Sequence, residues 1–212
     1  MDRLQFFILS LAGLIPGFAL HEFFHAKAAD LLGDSTPRRL GRLSIDPLVH
    51  LDVFGTLMIA FTGFGWAKPV PINPANFRHG ARDIVLVSIA GPAANLLLVF
   101  VFGVLVGLAH EFGVGGAVVS VFEYALLINA ALAAFNLLPI PPLDGSRVLA
   151  ALLPYQMSVA FRQMEAYAPL IILVFFFVPG ASSIIYAART ALVRSIGFPG
   201  VSVGSSLAHL FR

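Results

Sequence analysis

Long apolar runs dominate this chain, and its charged residues collect between them. Four runs approach or exceed the roughly 18–20 residues needed to cross the hydrocarbon core of a bilayer. They predict helices at about 4–32, 83–109, 117–138 and 166–188. The first continues through the polar "HEFFH", since "AKAADLLG" favours helix and ends at Gly33. Pro92 is expected to kink the second helix, and Pro179-Gly180 to break the fourth. A short apolar helix is predicted at 144–153, after the proline-rich "PIPPLDG". Residues 53–65, "VFGTLMIAFTGFG", are too few to cross a bilayer and read as a re-entrant or interfacial segment. The expected fold class is an all-α polytopic membrane protein with about four transmembrane helices and a re-entrant or extended piece over 53–78. A single transmembrane domain is expected to span 1–212.

Composition supports the membrane assignment. Of 212 residues, 58% are hydrophobic and only 11% charged, where a soluble domain would be about a quarter charged. The formal charge of +2 gives no reason to expect nucleic acid. Basic residues in such a chain instead report orientation. If 53–65 re-enters, then Lys27, Arg38, Arg39, Arg42, Lys68, Arg78 and Arg82 share one face with Arg147 and Arg162. The positive-inside rule makes that face cytoplasmic and both termini external, in a cell or inner membrane. The first helix is expected to be retained rather than cleaved as a signal peptide. Its nearest small-residue site, Ala26-Lys27-Ala28, lies beyond three ionisable residues. There is no cysteine, so a metal site must use His, Asp, Glu or backbone oxygen.

The candidate chemistry sits at the end of the first helix. His21 and His25 are four apart, so both rings can reach one point, and Glu22 lies one step round beside it. Two histidines that hold a metal and a glutamate that takes a proton from water are the pattern of a zinc hydrolase. Ionisable groups within a membrane helix cost on the order of 2.5–3.5 kcal/mol each when charged, and usually face the bundle interior. A third ligand is needed, and Asp144 in "FNLLPIPPLDGSR" is the best candidate. It competes with a routine helix N-cap role for the same residue. Asp2, Glu111, Glu123, Asp30, Asp34 and Asp46 are worse placed. Asn95 and Asn136 read either as polar groups facing the site or as interhelical hydrogen-bonders. His50, His79, His110 and His209 read as solvated or interfacial, and "VFFFV" (174–178) as lipid-facing or core.

"HEFFH", "GPAAN" (91–95) and "FNLLPIPPLDG", in that order on membrane helices, resemble the site-2 protease family of intramembrane zinc metalloproteases. "FGWAKPVPINPANFR" (64–78) also looks like a loop of its compact bacterial members. The resemblance implies one Zn²⁺ held by His21, His25 and Asp144, with Glu22 as the catalytic base. It implies that Asn136, eight residues before the aspartate, helps to hold substrate or the oxyanion. Asn95 is a second candidate substrate-binding residue. The implied partners are transmembrane protein substrates and the bilayer. No PDZ-like or CBS-like region is visible, and Ser146 follows the LDG where a second glycine is common.

The prolines at 69, 71 and 74 favour an extended ribbon near the metal, to which an unwound substrate could add as a strand. A rigid interfacial loop anchored by Trp66 is the alternative. Three other readings compete, one of them a catalytically idle metal-binding scaffold, against which the intact HEFFH argues. A membrane non-haem iron oxygenase also uses two histidines and a carboxylate, but has no need for Glu22. A metal transporter is expected to show inverted repeats and several broken helices, and no repeat is visible.

Overall fold

The structure is a computed structural model that describes residues 3–55, 58 and 65–211. The helices are α1 (Arg3–Leu31), α2 (Thr36–Arg39), α3 (Pro47–His50), α4 (Ala81–Glu111), α5 (Gly116–Asn136), α6 (Asp144–Leu152), α7 (Tyr155–Gln163), α8 (Ala168–Phe177), α9 (Ala181–Leu192) and α10 (Phe198–Ala208). Among the described residues there is no strand, only one antiparallel bridge between Leu51 and Ala67. Helices α1, α4 and α5 are long and apolar enough to cross a membrane. The chain is an all-α membrane protein.

The three spanning helices pack on one another through small residues. In lipid there is little apolar driving force between helices, so close van der Waals approach decides which faces meet. Gly13 and Gly17 of α1 meet α5. A Cβ at Gly13 would lie 2.8 Å from the Ala125 Cα, and one at Gly17 would lie 2.9 Å from Asn129 Oδ1. Gly91 of α4 meets α1 at the two histidines of HEFFH. Helix α1 ends where Gly33 takes φ +116° and the Asp34 N–H turns back to the Ala29 carbonyl at 2.9 Å. That conformation favours glycine and stops the helix shortly after its last ionisable residues.

Three expectations need correction. The run predicted over 166–188 does break at Pro179-Gly180 as expected, but it is thereby two separate helices, α8 and α9, rather than one spanning helix. Val178 is extended and Gly180 adopts a left-handed φ of +88° between them. At 10 and 12 residues neither half alone spans a bilayer. Helix α10 was not expected at all, since "GFPGVSVGSSLAH" has the composition of a loop. It is helical because Gly200 and Gly204 dovetail with Gly103 and Gly107 of α4. His50, expected to be solvated or interfacial, is instead fully buried within the chain and donates from Nε2 to the Ser44 carbonyl at 2.7 Å. Most of the predicted re-entrant segment 53–65 lies outside the described residues.

A Cβ at Gly204 would sit 2.1 Å from the Val104 carbonyl oxygen, while one at Gly116 would meet nothing. Gly204→Ala should therefore lower stability in thermal unfolding by about 1–3 kcal/mol, the usual cost of overpacking. Gly116→Ala should leave the midpoint unchanged or raise it. Equal effects of the two would mean that α10 is not docked on α4.

Candidate metal centre

The last third of α1, the middle of α4 and the first residue of α6 converge on one buried point. His21, His25 and Asp144 are all at most 7% exposed. His21 Nε2 and His25 Nε2 are 3.0 Å apart, and Asp144 Oδ2 is 3.1 and 3.2 Å from them. The two rings come from one helical face, as four-residue spacing requires. Asp144 comes from 119 residues away, at the N-terminus of α6. Its carboxylate caps no helix N–H; Leu143 occupies the cap position. The turn before it is tight, since a Cβ at Gly145 would lie 2.2 Å from the Leu137 carbonyl oxygen. Ser146 Oγ donates back to the Leu143 carbonyl at 2.6 Å.

The partners behind the rings fix their protons. His25 Nδ1 lies 2.7 Å from the Val87 carbonyl oxygen, which can only accept, so Nδ1 carries the hydrogen. His21 Nδ1 lies 2.7 Å from Asn95 Oδ1 in the same relation. Asn95 is itself held by donating from Nδ2 to the Gly17 carbonyl at 3.2 Å and to Asn129 Oδ1 at 3.0 Å. Asn129 in turn donates to the Gly13 and Ala125 carbonyls. In these neutral tautomers both Nε2 lone pairs and a carboxylate oxygen point into one small space. A single proton can bridge only one edge of that triangle, whereas a cation meets all three corners.

The spacing also fits a metal ion. Ligands about 2.0–2.1 Å from a tetrahedral Zn²⁺ stand roughly 3.3 Å from one another. Burial pushes the Asp144 carboxyl up, but positive charge on His25 and His21, in the place a bound cation would take, more than offsets this and holds it below its ordinary range. Among the described residues these three are the one group of such side chains with atoms close enough to share an ion. Gly91 is what lets the rings be there. A Cβ at that position would lie 2.3 Å from His25 Nε2 and 2.7 Å from His21 Cε1.

Glu22 lies beside this point, and its Oε2 accepts from the Val70 N–H at 2.9 Å. Val70 belongs to the extended segment 65–73, which crosses over α1 without forming a strand. The segment is pinned at several places. The Lys68 N–H donates to the His50 carbonyl at 2.7 Å, and the Arg42 guanidinium donates to the Lys68 and Pro69 carbonyls. Further along, fully buried Asp34 accepts from the Asn73 N–H at 2.7 Å and from Asn76 Nδ2 at 2.8 Å. Burial pushes the Asp34 carboxyl up, but hydrogen bonds from Thr36, Asn76 and Asn73 outweigh it and hold it below the usual range.

The predicted site residues thus fall into two groups. His21, Glu22, His25 and Asp144 come together. Asn95 is fully buried behind His21 rather than facing open space. Asn136 is half-buried at the end of α5 and donates to the Leu132 carbonyl at 3.0 Å. Residues that sequence reasoning passed over are Asn129, the Val87 carbonyl, the Val70 N–H and Asp34. Of these, only Asn129 left a trace, as an amide in an otherwise apolar spanning helix.

Two expected outcomes follow from this geometry. Asn95→Ala removes the acceptor on His21 Nδ1 and should weaken metal affinity about 10–100-fold, the usual loss for such outer partners; competition titration against a chelating dye would read it. Asp34→Asn should speed hydrogen exchange across 65–76. In the wild type the depressed carboxyl contributes fully above its ordinary pKa of 3.8, and that contribution fades only as pH falls through the lower folded value. Protection should therefore be flat from about pH 8 to 5, and loosening within that window would rule out Asp34 as the pin.

Comparison with known proteins agrees with this geometry. Residues 107–178 match the profile of Peptidase family M50. A Bacillus subtilis protein, provisionally named zinc metalloprotease YwhC, is 39% identical over 197 residues, covering 88% of this chain and 90% of that one. A Mycolicibacterium smegmatis protein, provisionally named zinc metalloprotease Rip2, is 32% identical over 82% of this chain and 68% of its own. A Methanocaldococcus jannaschii protein, provisionally named zinc metalloprotease MJ0611, is 32% identical over 68% of this chain and 70% of its own. No solved structure matches. With its HEFFH helix and distant aspartate folded onto one point, the chain belongs to peptidase family M50, the site-2-type metalloproteases.

Proposed function

We propose that this protein hydrolyses peptide bonds in or beside membrane-spanning segments of protein substrates, acting as one unit over 1–212. In this reading His21, His25 and Asp144 hold one Zn²⁺ and Glu22 is the catalytic base. The observation that carries the proposal is the triangle of lone pairs, 3.0–3.2 Å on a side, next to a carboxylate that is not part of it. A transporter needs only the triangle; a hydrolase also needs the base.

When bound, zinc supplies a Lewis acid that acidifies water and polarises the scissile carbonyl. The chain's own residues do the rest. Glu22 takes a proton from the attacking water and passes it to the leaving amine nitrogen. The Val70 N–H orients that carboxylate, holding Oε2 and leaving Oε1 for the proton. Asn95 and the Val87 carbonyl keep both imidazoles in the ligating tautomer. Asn136 has one amide hydrogen on Leu132 and offers the other to the substrate or its oxyanion.

The centre is proposed to open to the cytoplasm. Arg38 pairs with Asp30 at the end of α1, and Arg42 binds the neighbouring extended segment, so the basic residues gather at this end of the spanning helices.

The test uses the purified chain and membranes that contain its substrates. Glu22→Gln should lower cleavage at least about 10²–10⁴-fold, the worth of a positioned general base, with zinc per chain unchanged. A strong chelator should abolish wild-type cleavage and added Zn²⁺ restore it. Wild-type protein that binds no metal, or that binds zinc yet cuts no membrane peptide, would end the proposal.

A further inference from the structure

A cavity of about 220 Å³ adjoins the metal centre on the side of the basic residues. Its walls are shared with the site. Val70, whose N–H holds Glu22, and Val87, whose carbonyl holds His25, both line it. Arg147, one turn beyond Asp144 on α6, lines it as well. The rest of the wall is mainly apolar, from Ile72, Ile84 and Ala150. At the mouth stand Arg162 of α7 and Glu165.

Chemistry limits the occupant. A helix keeps its carbonyls bonded within itself, so a protease can act only on unwound chain, and a cavity that shares Val70 and Val87 with the site lies where that chain would run. Charge limits it further. Two arginines line the cavity against one carboxylate, and neither guanidinium forms a hydrogen bond or ion pair with another described residue. A guanidinium beside an apolar, partly enclosed space binds a carboxylate through paired N–H donors better than it binds water.

We propose that this cavity is a substrate subsite. It takes the unwound stretch flanking the scissile bond, seating an apolar side chain against Ile72, Ile84 and Ala150 and an Asp or Glu on Arg162 and Arg147. The inference rests on the proteolytic reading above and adds a specificity to it. The enzyme prefers substrates with an acidic residue at a fixed distance from the cut.

The experiment uses full-length protein in neutral phosphatidylcholine vesicles with synthetic single-span peptides. One position is walked through the ten residues on either side of the apolar span, as Asp, Asn or Lys. The wild type should cut the Asp peptide faster than its Asn twin at one register only, by about tenfold, the size of one charge-assisted hydrogen bond. Arg162→Glu should invert the order at that register, so that Lys becomes the best residue. Arg162→Gln should level the three, and zinc per chain serves as the fold control for both variants. An Asp preference that survives both substitutions overturns the subsite. So does a loss that is equal for all peptides, which would make the arginines anchors for lipid headgroups. If the wild type binds zinc but cuts none of the peptides, the proteolytic reading fails and takes the subsite with it. Cleavage without any acidic register defeats the subsite alone.

Discussion

Everything in this fold depends on two imidazoles presenting bare lone pairs to a carboxylate inside a membrane protein. That arrangement is repulsive by itself. It persists because each ring is held from behind by an acceptor, the Val87 carbonyl for His25 and Asn95 for His21. The acceptors set which nitrogen carries the hydrogen, and therefore which one turns its lone pair toward Asp144. Asn95 is steadied by Asn129, and Asn129 by carbonyls of α1 and α5. A chain of amides thus ties the ligand geometry to the backbones of all three spanning helices. In a medium with no water to rescue an unpaired group, every link of such a chain must close.

The same medium explains the glycines. Helices in lipid adhere by contact, so the faces that must meet carry residues small enough to let backbones touch. Gly13 and Gly17 bring α1 to α5, Gly91 brings α4 to the histidines, and the paired glycines of α4 and α10 lock the C-terminal helix down. Pro16 and Pro92 lie inside α1 and α4. Amide side chains donate to the Gly13 and Gly17 carbonyls on either side of Pro16, so polar groups of neighbouring helices bond the α1 backbone where its glycines leave it open.

What the sequence made legible follows from how local each signal is. HEFFH could be read because four-residue spacing on a helix is a geometry that the residues carry with them. Asp144 could be proposed, but its distance from α1 could not be read, since the same residue in the same place would serve as an ordinary N-cap. The Val87 carbonyl and the Val70 N–H were invisible, because backbone groups leave no mark in residue type. His50 was misplaced for the same reason: its partner is the Ser44 carbonyl. Helix α10 was missed because its glycines and serines argue against helix locally, and only the α4 surface makes those residues favourable. For the proline segment the sequence left an extended ribbon and a rigid interfacial loop both open, and what holds residues 65–73 is Glu22, Arg42 and Asp34, each far away in sequence.

Gly91 carries a consequence for how the protein responds to its surroundings. With only a hydrogen atom between the α4 backbone and the two rings, nothing larger can stand between α1 and α4 at this level. His21 and His25 both ride on α1 and Asp144 on α6, so α4 acts as the wall against which the imidazoles are set and the source of the acceptors that aim them. A lipid or detergent molecule that parted α1 from α4 would spoil the aim of the rings before it changed the spacing of their nitrogens.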